Sequence, residues 1–107
     1  MHKINIKPLS VNAAWRGRRF PTDDYKYYKI ELGLLLPIIT VPEGLLEVYY
    51  EFGINMAMDW DSPIKQFQDI LQNQYGFNDN QIYKATVLKV PVTRGDEYIK
   101  FNIKSYE

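Results

Sequence analysis

A chain of 107 residues can fill one hydrophobic core and no more, so a single domain spanning residues 1–107 is expected. Its 46% hydrophobic and 15% aromatic content excludes a disordered chain, and its longest apolar run, Leu34 to Val41, is broken by Pro37 and falls short of the roughly 20 residues a membrane helix needs. The lack of cysteine excludes disulfides and thiolate metal sites, and a formal charge of zero excludes a uniformly basic surface.

The elements follow from period and punctuation. His2 to Pro8 alternates, with Ile4 and Ile6 on one face and Lys3, Asn5 and Lys7 on the other; this is a half-buried strand, not the apolar block of a signal peptide. Leu9 to Pro21 contains Ser, Asn, Gly and three arginines without a usable period and reads as a loop. A helix is expected from Thr22, with Thr22 or Asp23 as its cap, Tyr25, Tyr28, Leu32 and Leu35 on one face, and Pro37 closing it. Leu45 to Ile54 alternates Leu46, Val48, Tyr50 and Phe52 against Glu47, Tyr49 and Glu51, the pattern of a strand. Ser62-Pro63 starts a second helix, with the serine oxygen as cap, an apolar stripe of Ile64, Phe67, Ile70 and Leu71, and Gly76 as a left-handed stop. Gln81 to Val90 and Tyr98 to Lys104 then read as two strands joined by a turn at Thr93-Arg94-Gly95-Asp96, forming a hairpin. The resulting fold class is α/β, or α+β by stricter criteria: one small mixed sheet of about four strands packed against two helices.

Charge is segregated along this frame. Residues 1–30 carry seven Lys/Arg against two Asp, residues 31–83 one Lys against eight Asp/Glu, and residues 84–107 five Lys/Arg against three Asp/Glu. A basic arm before an acidic middle suits a phosphodiesterase in which the arm holds phosphates and the carboxylates hold a cation. Chance unevenness would look the same.

Within the acidic middle, Asp59-Trp60-Asp61-Ser62 lies between a strand end and a helix start, with Lys65 one turn further on. Two carboxylates ~4 Å apart repel by about 1 kcal/mol in water and about 4 kcal/mol at an effective dielectric of 20, and a divalent ion removes that penalty. Oxygen ligands without His or Cys favour Mg²⁺ or Mn²⁺ over zinc. Asp61 or Ser62 as a plain helix cap beside a solvated Asp59 fits the local sequence equally well. Asp79 joins the pair only if its loop folds back from the far end of the helix; Asn78-Asp79-Asn80 is otherwise an ordinary turn. Pro8 to Phe20 interleaves Asn12, Trp15, Arg16, Arg18 and Arg19 with further apolar rings. Arginine grips phosphate and tryptophan stacks on bases, which suits distorted or single-stranded DNA; a solvated loop with Trp15 and Phe20 tucked into the core is the alternative. His2, close to the chain start, is assigned no role, and Tyr25, Tyr27 and Tyr28 belong to a helix.

Taken in order, these segments resemble the RusA family of Holliday junction resolvases of phages and prophages. Pro8, Ser10, Asn12, Trp15 and Arg16 are similar to the family's Pro-x-Ser-x-Asn-x-x-aromatic-Arg pattern. Asp59 and Asp61 resemble its Asp-x-Asp-Asn motif, with Lys65 at the place of a functional lysine. Gly76-Phe77-Asn78-Asp79-Asn80-Gln81-Ile82 is similar to its Gly-Phe, Asp-Asp-x-Gln-Val stretch, and Lys89 to Gly95, including Arg94, resembles the segment leading into its last hairpin. The likeness covers nearly the whole chain; Ser62 stands where the motif has asparagine, and Asn78 where the aspartate pair has its first member. It implies a cytoplasmic homodimer that binds four-way or branched DNA and cleaves it with Mg²⁺ or Mn²⁺. Asp59, Asp61 and Asp79 would hold metal, Lys65 would orient water or offset phosphate charge, and Asn12, Trp15, Arg16, Arg18, Arg19 and Arg94 would contact DNA. A junction-binding protein with weakened catalysis is the other expectation.

Overall fold

A computed structural model describes residues 1–17, 20–55 and 57–107. Its elements are β1 (His2–Ile4), α1 (Val11–Ala14), β2 (Trp15–Arg16), β3 (Phe20–Pro21), α2 (Asp23–Leu35), β4 (Leu46–Ile54), α3 (Ile64–Tyr75), a 3₁₀ turn (Asp79–Gln81), β5 (Ile82–Pro91) and β6 (Tyr98–Ser105). The expected mixed α/β class holds: one four-stranded sheet, order β1-β6-β4-β5, with β2 and β3 forming a separate two-residue ladder.

The alternation along β4 decides the layers. Leu46, Val48, Tyr50 and Phe52 are buried, and Ile99, Phe101 and Ile103 of β6 and Ile4 of β1 share the core. Two helices close this face. From α3 come Phe67, Ile70 and Leu71, with the Phe67 ring edge-on to Tyr50, Phe52 and Phe101 at centroid separations of 5.4, 5.8 and 5.9 Å. From α2 come Tyr28 and Leu32, joined by Leu36 just past its end. The stripe expected for α2 is displaced at its C-terminal end: Leu36 is buried and Leu35 exposed, because the residue before Pro37 leaves the helix and turns inward.

Helix ends follow the sequence in three places. Thr22 caps α2 by accepting from the Tyr25 N–H at 3.2 Å, Pro37 follows the closing Leu36, and Gly76 ends α3 at φ 71°, a conformation that costs a glycine nothing.

Along the strands and loops, three expectations fail. The first strand pairs only over His2–Ile4, although its alternation continues, burying Ile6 and Pro8. Leu9 to Pro21 is not plain loop but holds α1 and the β2–β3 ladder; a helix of four residues is too short to show a period. The final two strands are not a hairpin. β4 lies between them, parallel to β5 and antiparallel to β6. The turn at Thr93–Asp96 exists, with the Asp96 N–H donating to the Thr93 carbonyl at 2.9 Å, but it lies within a longer connection that passes the end of β4, where the Val92 N–H reaches the Ile54 carbonyl at 3.1 Å. The most apolar strand takes the centre, and β5, with Lys84 and Lys89 along it, is suited to an edge. Among the described residues no helix is long and apolar enough to cross a membrane.

Candidate functional site

Strand direction sends several chain segments to one end of the sheet. β1 leads towards the level of Ile99, opposite the C-terminal part of β4, and delivers residues 5–10 there. Ser10 then caps α1, its hydroxyl accepting from the Ala13 N–H at 3.2 Å. The chain is returned to α2 by Thr22, whose N–H donates to the Ala14 carbonyl at 3.0 Å. Trp15, held in the ladder opposite Pro21, lays its half-buried ring against Tyr25 of α2, with centroids 4.9 Å apart. Arg16 is exposed beside it. Arg18 and Arg19 lie outside the described residues.

From β4 the chain leaves at the same end. Asp59 and Asp61 are both exposed, and their carbonyls carry the turn into α3, accepting from the N–H groups of Ser62 at 3.0 Å and Ile64 at 3.2 Å. The side chain of Ser62 does not cap α3, which starts at Pro63 without a side-chain cap. Its hydroxyl accepts instead from the Val11 N–H at 3.1 Å, 51 residues away in sequence, and so clips α1 to the aspartate turn. A second clip is Gln66, the fully buried polar side chain of α3, whose amide N–H₂ donates to the Leu9 carbonyl and to the Ser62 carbonyl at 2.7 Å. A third comes from β5, where the Lys89 ammonium donates to the Met58 carbonyl.

These clips enclose a recess of about 580 Å³ whose walls include Ser10, Asn12, Asp59, Asp61, Ser62 and Lys65. Lys65 and Asn12 also line a neighbouring recess of about 760 Å³ that extends to Trp15 and Asp69. The Lys65 ammonium stands 3.9 Å from Asp69 on the next turn of α3. The structure therefore brings together Asn12, Asp59, Asp61 and Lys65, with Trp15 adjoining. Arg94, exposed in the turn after β5, lies at the same end of the sheet but is not on the wall of either recess among the described residues.

Asp79 is elsewhere. It sits at the start of β5, in a 3₁₀ turn capped by Asn78 and closed by a reciprocal bond from the Asn78 N–H to the Gln81 side chain at 2.9 Å. Gln81 is tied in turn to the Gly44 carbonyl at 2.8 Å, just before β4 begins. Because β5 is parallel to β4 from Leu46 to Ile54, Asp79 lies beyond one end of β4 and Asp59 beyond the other. Eight strand steps at ~3.3 Å put roughly 26 Å between the two ends. The loop does not fold back; α3 spends its length returning to the start of β4, as a parallel crossover requires. Among the described residues no three Asp, Glu or His side chains stand close enough to share a metal ion.

Sequence reasoning missed Gln66, Lys89 and Asp69. Gln66 left a trace, a polar residue on the face of α3 that also carries Phe67 and Ile70, where burial demands a partner. No known family model matches the chain, and no curated protein matches it.

Proposed function

We propose that this protein is a divalent-metal-dependent endonuclease acting on four-way or branched DNA, with Asp59 and Asp61 as its metal-binding carboxylates. The observation that supports this most is the shared recess: two exposed carboxylates, a lysine and an amide side chain face one polar space between segments clipped together by Ser62 and Gln66. The donor set fits Mg²⁺ or Mn²⁺, since it offers oxygens and neither imidazole nor thiolate. Such an ion supplies an activated water and offsets charge on a phosphate. Asp59 and Asp61 hold the ion, while Lys65 and the Asn12 amide are positioned to hold phosphate oxygens in the same space. Exposed Arg16 and Arg94 extend positive charge from this end of the sheet.

The proposed homodimer has a geometric reason. Asp79 can join this centre only from another chain, and a two-fold axis crossing the direction of β4 brings the Asp79 end of one copy to the Asp59 end of the other. A second reading, a junction-binding protein that does not cleave, is favoured by the same separation, since one chain supplies two carboxylates and not three.

The test is a gel assay on a synthetic four-way junction in Mg²⁺ and in Mn²⁺. Asp61→Asn should abolish cutting and spare binding. Equal cleavage by the variant and the parent sinks the carboxylate assignment, whereas binding without products in either metal selects the second reading. Absence of binding even at low salt, where phosphate contacts are strongest, removes both.

A further inference from the structure

We propose that the recess between α1, β2 and α3 is a base pocket that accepts one unpaired nucleobase beside the candidate cleavage centre and prefers bases carrying an exocyclic amine. The inference rests on the nucleic-acid reading above and adds a subsite to it. The recess, at about 760 Å³, falls in the size range of sites that enclose small ligands. One wall is the Trp15 ring. Its backbone is paired with Pro21, and its ring packs against Tyr25 with centroids 4.9 Å apart. An indole beside an open space is a stacking platform, and stacking serves any base because each has a π-face. Gly17 lines the recess with φ 62°, and among the described residues nothing lies within 4 Å of where a Cβ would sit.

Asp69 supplies the polar wall. Its side chain is about a third exposed (36%) and stands 3.9 Å from the Lys65 ammonium. Its charge also acts on Tyr25, whose ring packs against Trp15: burial first, and then the Asp69 charge, push the Tyr25 hydroxyl pKa up. A carboxylate only accepts hydrogen bonds. It can therefore receive the N4 amine of cytosine or the N6 amine of adenine, while thymine presents a carbonyl at the corresponding position and offers only its N3–H, flanked by two carbonyls. The adjoining recess, where the proposed ion would offset Asp59 and Asp61, shares Asn12 and Lys65 with this one. A nucleotide whose base lies against Trp15 thus has its backbone directed towards Asp59 and Asp61.

The chain contains two tryptophans, so a Trp60→Phe protein reports Trp15 fluorescence alone. It is titrated in EDTA with labelled single-stranded octamers of dC, dA and dT and with an abasic octamer of equal charge, anisotropy reading DNA binding and fluorescence reading stacking. Expected are quenching by dC and dA octamers, weaker quenching by dT, and none by the abasic strand. Trp15→Ala should lower affinity for dC and dA octamers by roughly 5–100-fold, to the level of the abasic strand. Trp15→Phe, which keeps a ring against Tyr25, should retain most of the affinity and separates stacking from damage to the fold. Asp69→Asn should erase the preference over dT. Equal affinity for abasic and base-bearing strands, with Trp15 unquenched, overturns the pocket and leaves the DNA reading intact. No anisotropy change with any strand at low salt overturns the DNA reading and the pocket with it.

Discussion

Replacing Gln66 with leucine tests whether one buried amide holds the two halves of the candidate site together. The substitution conserves length and volume to a first approximation, so packing against α3 changes little. What is lost is the pair of bonds to the Leu9 and Ser62 carbonyls, at about 1–1.5 kcal/mol each, with a further penalty for any carbonyl left dry. What is relieved is the Gln66 side-chain oxygen, which is buried with no hydrogen-bond partner among the described residues and whose removal returns about 1 kcal/mol. The net expectation is a destabilisation of about 2 kcal/mol, or roughly 8–16 °C in Tm for a domain of this size. Thermal unfolding followed by circular dichroism gives the first number. Amide hydrogen exchange gives the second: protection of Val11 and Ala13, both in or beside α1, should fall more than protection in β4, because the strut acts on the loop and not on the sheet. A variant with a Tm within about 2 °C of the parent and unchanged exchange at Val11 and Ala13 would refute the strut.

Gly53→Ala should destabilise by about 2–4 kcal/mol in urea unfolding, because its Cβ would overlap the Tyr98 ring and dislodge the Tyr98 hydroxyl from Glu51; Tyr98→Ala in the same chain should remove most of the added penalty, and additive effects would contradict the contact. Gly76→Ala, at φ 71°, should cost about 1 kcal/mol by the same assay, and a neutral result would mean that α3 ends differently. Hydrogen bonds from Tyr49, first, and Tyr98, with Lys100 and Lys3 adding to them, hold the Glu51 carboxyl below the ordinary glutamate range. The folded state therefore gains stability that is complete above about pH 4.3 and lost as pH falls through the lowered value. Glu51→Gln should flatten that acid limb, and an unchanged limb would contradict it. The same pair acts on the alkaline side, where the Glu51 hydrogen bond pushes Tyr98 up to about 12: its share of stability is intact below about pH 10 and disappears as pH rises through 12, so Tyr98→Phe should remove that loss.

Local signals were readable where one residue decides the outcome. Thr22 as a cap, Gly76 as a left-handed stop and the two-residue alternation of β4 each depend on nearby chemistry, and each is where the sequence places it. Partnership was less readable. Adjacent strands near the chain end suggest a hairpin, yet the choice between pairing with each other and flanking β4 depends on which strand can be buried on both edges, a property of the whole sheet. Ser62 shows the same limit on a smaller scale: a serine before proline is a fitting cap, but the Val11 N–H, distant in sequence, takes its oxygen. Asn12, Asp59, Asp61 and Lys65 line one recess, because the end of β4 and the clipped loop lie at the same end of the sheet. Asp79 does not, since a parallel crossover fixes its end of the sheet however its turn is written.

The central place of β4 also sets an order of events in folding. Both of its ladder partners, β5 and β6, come after it in the chain, and β1 is joined to the sheet only through β6. An early β4 therefore has two unsatisfied edges until residues 82–91 have been synthesised, and one until residues 98–105 follow. Removing those residues would detach β1 as well as β6, leaving the apolar middle strand open to pairing with other chains.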